Sequence, residues 1–368
     1  MTRAVPWLVV AAGLGGCTST APLKLEYDAA RSEMVGASLL LNGFNETGIC
    51  HLLWVSGEGD TLLDIDCEPG HRIFRAKPSR DGRSLFYASN VVDEGLVAEG
   101  YIQQVPLSGG TALRTPAPLI HHDFVELDEG FAYLSYVEEQ HRVDGRWTNV
   151  ATDAVIEVPA GGGAAVTTFD FFADYPREPQ WTCWHMRAGG WLPSHNDWTH
   201  TNSLVEHPDG DAWVLMPRWF DAALKVDRTT GEVIWQLGGR DDRFGLTAED
   251  DALLSHPHMS HAFADRLLVF DNGSGHGAKR RDRSRVVEYR VDEDALTAEL
   301  VWSYEAPTPR RTGFLGDAKR LPGGNTLVVW SDRGQIHEVT PEGDIVWALE
   351  LPYGQNTGRV EVMGLELP

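Results

Sequence analysis

Between Asp197 and Gly239 the chain alternates short apolar runs with turn residues at a spacing too tight for helices. SLVEHP and AWVLMPR are broken by Asp209-Gly210, and ALKVDR and EVIWQL by Thr230-Gly231. Runs of this length, rich in β-branched and aromatic residues and separated by Gly-containing turns, predict four short antiparallel strands, one blade of a β-propeller. A loop carrying His200 opens the unit.

The pattern recurs, and a repeat decides an architecture before any single motif does. Asp227 to Leu237 reads DRTTGEVIWQL, Val339 to Leu349 reads VTPEGDIVWAL, and Val291 to Glu305 is a looser copy. Each places a Trp after an apolar residue (Trp235, Trp302, Trp347), so one large ring recurs on the outer part of each unit. Turn chemistry around Asp81-Gly82, Gly109-Gly110 and Gly323-Gly324 marks further half-units. The expected fold is all-β, a six-bladed β-propeller with units at 24–70, 71–118, 119–170, 196–240, 254–306 and 312–352. Residues 359–368 form a terminal strand that closes the ring. A two-sheet β-sandwich has similar strand-turn spacing and is the alternative. Asp170 to His195, with Trp181, Trp184 and Trp191, reads as a long loop between blades, a place where function often sits.

The N-terminus departs from this pattern. Arg3, the apolar stretch Leu8 to Leu14 and Leu14-Gly15-Gly16-Cys17 are similar to a bacterial lipoprotein signal. The expected organisation is a signal peptide over 1–16, a tether over 17–23 with Cys17 as the lipidated residue, and one propeller domain over 24–368. The chain would then be exported and lipid-anchored in the cell envelope, touching membrane only through Cys17. Export permits disulfides. Cys50 and Cys67 stand nearly equidistant from a hairpin turn at Gly57 to Asp60, so a cross-strand bridge is expected, and Cys183 is left as a buried free thiol.

With 31 Lys+Arg against 54 Asp+Glu the net charge is −23, which argues against nucleic acid or anionic membrane as a partner. Against that background Lys279 to Arg285 holds five cations. Most read as a solvated loop, but Arg285 begins a strand and, aimed at the central channel, would be a bidentate clamp for an oxyanion. Eight of the 14 histidines lie between His185 and His276. The runs Asp197-Trp198-Thr199-His200-Thr201-Asn202 and His256-Pro257-His258-Met259-Ser260-His261 each precede or open the first strand of a blade, where propeller residues face the channel. Asp271-Asn272-Gly273 is the third loop of the set.

DWTHTNS, KVDRTTGEVIWQLGG, HPHMSHAF, LLVFDNG, SRVVEY and GDAKRLPGGNTLVV, in this order, resemble the bacterial arylsulfotransferase family, over about residues 196–350. The resemblance implies a six-bladed propeller that moves a sulfuryl group from an aryl sulfate, rather than from PAPS, to a phenol through a sulfohistidine, without a cofactor. It assigns His200 and His258 as active-site histidines and Arg285 as the sulfate-binding arginine. His256 and His261 lie one alignment step from His258. With Asn202, Asn272 and Trp198 they complete the expected substrate site; Trp198 and the loop tryptophans would stack on the aryl ring. The family's nucleophile is expected in the last blades, where Arg311 to Ala318 reads RTGFLGDA without a histidine. Either His200 or His258 is then the nucleophile, or the fold keeps a pocket without transfer. His337 lies inside a strand pattern and reads as structural.

Three rivals stand beside this reading. His256-x-His258-x-x-His261 has metal-ligand spacing, but no Asp or Glu completes a set nearby, so no metal is assigned. TGEVIWQL is also similar to quinoprotein blades. The main functional alternative is a non-catalytic propeller that binds a ligand or protein at the cell surface.

Overall fold

A computed structural model describes residues 8–12, 23–44, 50–93, 96–179, 196–275, 280–305, 311–352, 356–365 and 367. Cys17, Cys183, Trp181, Trp184 and Trp191 lie outside them. The strands form six sheets, antiparallel apart from the short parallel pairing of Asn196–Asp197, arranged as a β-propeller. Blade 1 is Asn356–Met363, Ser38–Phe44, Cys50–Ser56 and Thr61–Asp66. Blade 2 is His71–Pro78, Ser84–Asp93, Leu96–Pro106 and Leu113–Pro116. Blade 3 is Ile120–Leu127, Gly130–Val143, Arg146–Pro159 and Val166–Asp170, and the short strand Asn196–Asp197 pairs with Arg146–Pro159. Blade 4 is Thr201–Glu206, Ala212–Pro217, Ala222–Asp227 and Val233–Gly238. Blade 5 is Pro257–Ala262, Arg266–Asp271, Arg285–Asp292 and Thr297–Glu305. Blade 6 is Asp317–Arg320, Thr326–Trp330, Gln335–Val339 and Ile345–Glu350.

The ring is sewn at two places. The C-terminal strand Asn356–Met363 enters blade 1 as its innermost strand, starting three residues before the expected terminal strand 359–368 and ending at Met363. The first unit differs from expectation at its start: Leu23–Tyr27 does not belong to blade 1 but pairs with Ile345–Glu350 on the outer side of blade 6. Its alternation of buried and exposed positions explains the placement, because Leu23, Leu25 and Tyr27 face the core shared by blades 6 and 1 while Lys24 and Glu26 face water. Leu8–Ala12, the apolar stretch of the expected signal, lies beyond Leu23–Tyr27 as the outermost strand of that sheet. Its removal would break no other strand pairing.

The recurring tryptophans do occupy one structural position. Trp235 pairs across from Lys225, Trp302 from Glu288 and Trp347 from Glu338, each beside a register shift between the third and fourth strands. A bulge at this point bends the outer strand over the neighbouring blade. Trp347 fills the blade 6–blade 1 core and donates Nε1–H to the Gly57 carbonyl at 2.7 Å. Cys50 and Cys67 are joined by a disulfide with a Cα separation of 5.4 Å, clasping the outer hairpin of blade 1.

Candidate active site

The inner strands start irregularly. His122 (φ 53°), His200 (φ 53°) and His256 (φ 52°) all have left-handed backbones where the chain enters blades 3, 4 and 5. Register shifts fall between Ile120 and Phe124, Thr201 and Leu204, and Pro257 and Ser260. A left-handed non-glycine residue costs about 1–3 kcal/mol and persists where surrounding structure holds it. Here the bonds are visible: His256 N–H donates to Asp221 at 2.7 Å, and Thr201 N–H to Asp153 at 2.6 Å.

These bulges gather imidazoles from three blades. The His122 ring lies 5.0 Å from His200 and 6.4 Å from His258, centroid to centroid. Trp219 bridges His200 at 5.2 Å and His256 at 5.0 Å, forming an aromatic wall. His200 donates Nδ1–H to the Asp197 carboxylate, which leaves Nε2 for chemistry. His258 Nδ1 lies 3.0 Å from the Gly316 carbonyl, an acceptor only, so Nδ1 carries the hydrogen and Nε2 a lone pair. Burial, then the Arg359 and Arg218 guanidinium groups, hold the His258 pKa well below the ordinary imidazole value. His122 is pushed down in the same way, by burial first and then by His121, His200 and Arg359. Behind it, His121 Nδ1 is 2.7 Å from His122 Nδ1, and His121 Nε2 is 3.1 Å from Asp153, a carboxylate–imidazole–imidazole row.

Two arginines border the cluster. Arg218, on the 3-10 turn Arg218–Phe220 after the second strand of blade 4, reaches Asn272 Oδ1 at 3.1 Å, Ser274 Oγ at 3.1 Å and the Gly313 carbonyl at 2.7 Å. Arg359, on the closing strand, donates to the Asn202 carbonyl. Asn202 itself donates Nδ2–H to the Pro257 carbonyl at 3.0 Å, and its buried Oδ1 has no hydrogen-bond partner among the described residues.

Four expected residues play other parts. Arg285 is engaged by protein groups: four of its donors go to Asp271, Asp251 and the Asp251 and Leu253 carbonyls, and it is 1% exposed. Asp271 and Asp251 capture it because they lie on the adjoining strand and loop. Trp198 is no substrate platform, being buried among Phe171, Phe172, Tyr175 and Phe220. Asn272 is consumed as a strut, giving both Nδ2 hydrogens to the Thr312 and Leu315 carbonyls and Oδ1 to Arg218. His261 packs on Phe263 at 4.5 Å and accepts the Arg320 N–H at 3.4 Å; burial drives its pKa to about 3. The histidines of the metal-like spacing thus diverge, His256 to Ser274, His258 to Gly316 and His261 to Arg320. His337 accepts the Trp330 Nε1–H within blade 6 at 3.2 Å.

His122, Arg218, Trp219 and Arg359 were not singled out from sequence. His121-His122 does stand before a strand run as His200 does, and Arg218 ends the run AWVLMPR, so both signals were in view. Arg359 had no motif around it.

The arylsulfotransferase (ASST) family model matches residues 26–341. Among solved structures, the chain is similar to a protein of unknown function from Bacteroides caccae, at 11% identity over 89% of this chain and 99% of that one, TM-score 0.53. It is also similar to a periplasmic gluconolactonase from Pseudomonas aeruginosa, at 13% identity over 90% and 99%, TM-score 0.51. At these identities the likeness concerns the propeller alone. A search of curated proteins found no match.

Proposed function

Because the chain belongs to the arylsulfotransferase family, we propose that it transfers a sulfuryl group from an aryl sulfate to a phenol, with His258 as the nucleophile. The observation that carries this reading is the His258 tautomer. Its Nδ1–H is committed to Gly316, and burial beside two cations keeps the ring unprotonated, so Nε2 offers a lone pair at neutral pH.

In the first half-reaction Nε2 attacks sulfur; the N–S bond forms as the S–O bond to the aryl group breaks, and the electron pair leaves on the phenolate. His200, entering this half-reaction as the imidazolium with Nδ1–H on Asp197, passes its Nε2 proton to that oxygen. In the second half, neutral His200 takes the proton of the incoming phenol, whose oxygen attacks sulfur and frees His258. Arg218 opposes the negative charge on the sulfuryl oxygens, the part the sequence had given to Arg285. Trp219 is the flat wall for the aryl ring.

Incubation with 4-nitrophenyl sulfate and a phenol should release nitrophenolate and yield an acid-labile sulfohistidine that His258→Ala abolishes, with kcat/KM down about 10²-fold or more. His200→Ala should keep the adduct with this donor, whose leaving group needs little protonation, and fail with donors of poorer leaving groups. If His258→Ala retains the adduct, the assignment is wrong. The histidine-free loop Arg311–Ala318 favours the second reading, a ligand-binding propeller; binding of aryl sulfates with no turnover would establish it.

The same proposal extends to location. The lipobox-like Cys17 and the Cys50–Cys67 disulfide both suit an exported, lipid-anchored protein. Cys17→Ser should release the protein from membranes or block its processing, and unchanged attachment and processing would refute the anchor.

A further inference from the structure

Below the imidazoles the inner strands of blades 6, 1, 2 and 3 carry a belt of charge. Its cations are Arg75, Lys77, Lys319 and Arg359; its carboxylates are Asp123, Asp317 and Glu361. Arg75 is bound to Asp123 at 2.9 Å and to Glu361, Lys77 lies 3.1 Å from Asp123, and Lys319 lies 3.5 Å from Glu361. Asp317 accepts the Val360 N–H at 3.2 Å. Four cations against three carboxylates leave one positive charge over. It falls on Arg359, which is 2% exposed and, among the described residues, has no carboxylate within 4.0 Å.

A buried guanidinium in this state is expensive, since removal of a charge from water is repaid only by a partner of opposite sign. Among the described residues Arg359 has one hydrogen bond, to the Asn202 carbonyl, and its buried Nε has no partner. Asn202 in turn is tied to Pro257, the residue before His258, so the Arg359 head is held against the strand that carries the proposed nucleophile. The neighbourhood lacks one negative charge with oxygen acceptors in a plane matching a guanidinium face.

We propose that Arg359, from the C-terminal strand that closes the ring, is the clamp for the monoanionic sulfo group of the donor, and that the belt is charged one unit positive in order to hold it. The proposal rests on the sulfuryl-transfer reading for its ligand class but not for its test. It also explains why the closing strand brings a cation to the site from outside the stretch 26–341 that the family model matches. Burial lowers the Arg359 pKa to about 10, which leaves it cationic at neutral pH.

The test uses benzenesulfonate, a monoanion whose S–C bond cannot transfer, titrated calorimetrically into the full chain. Wild type should bind it; Arg359→Gln should weaken binding at least about tenfold, and Arg359→Lys, which keeps charge without the planar fork, should fall between. The ligand-free Arg359→Gln protein should melt no lower than wild type, because the substitution removes an uncompensated cation, whereas a structural arginine would lower the melting temperature. In turnover, Arg359→Gln should raise the donor KM more than it lowers kcat. Failure of wild type to bind benzenesulfonate, equal binding by Arg359→Gln, or a destabilised Arg359→Gln with wild-type affinity overturns the clamp. Binding that depends on Arg359 in a protein without sulfotransfer upholds the clamp and refutes the transfer reading instead.

Discussion

At the scale of single residues, what decides a role is where a side chain's partners lie. Arg285 and Arg218 look alike in sequence, yet Arg285 is bonded into the Asp271–Asp251 pair away from the histidines while Arg218 borders them. Arg285→Ala should therefore act on stability, costing about 1.5–3 kcal/mol in denaturant unfolding because buried Asp271 loses one of its two guanidinium partners and keeps Arg281 at 3.5 Å. Donor KM in the surviving folded fraction should change little; a folded, fully stable Arg285→Ala protein unable to use donor would restore the sequence-based role. The buried imidazoles set a pH dependence. His122, His258 and His261 have folded pKa values below the unfolded value of about 6.5, so the unfolded chain takes up protons first as pH falls. The histidine contribution to stability should be constant above that pH and fall below it, by about 1.4 kcal/mol per pH unit for each histidine still neutral in the fold. Unfolding free energies measured from pH 7.5 to 5 check this, and a flat profile would mean that the rings are not held neutral.

At the scale of elements, the loop 311–316 is as much a part of the site as the histidine loops, although it contributes no side-chain chemistry. Gly316 (φ 104°) gives its carbonyl to His258, and a Cβ there would lie 2.2 Å from Phe270. Gly316→Ala should cost roughly 2–3 kcal/mol and lower kcat/KM about tenfold or more by displacing the acceptor that sets the His258 tautomer. Unchanged kinetics would show that the tautomer does not depend on this carbonyl. The blades were legible because each leaves a local trace: Trp235, Trp302 and Trp347 sit at the same bulge, and the four main strands of each of blades 2 to 6 fall within the expected bounds, while Asn196–Asp197 joins blade 3 instead of blade 4. His200 and His258 were legible because loops opening an inner strand face the axis. Arg359 was not, because its importance comes from charges on four different blades, and no local window contains that sum. Trp198 misled for a related reason: an aromatic beside an active histidine reads the same whether it faces substrate or, as here, Phe171 and Phe220. Leu23–Tyr27 was assigned to the wrong blade because its alternation fits the edge of either neighbour.

The whole molecule is a ring whose two ends are built into adjacent blades, and the proposed anion clamp sits on one of them. A chain ending at residue 352 would lose the inner strand of blade 1 together with Val360 and Val362 of the core there. It should fail to give a cooperative unfolding transition, whereas a well-folded, cooperative product would show that the five remaining blades stand alone. The double seam also governs when the fold can form. Lys24 meets Glu350 across 326 residues, so the contacts that lock the ring join the first and last parts of the propeller to be synthesised. Loop-closure entropy must be overcome before such contacts contribute, which makes the final locking step slow and keeps it out of reach of a nascent chain. For a polypeptide exported as proposed above, this delay is an advantage: until its last strand is made the ring stays unlatched, and the chain can still be threaded through a membrane as an extended strand.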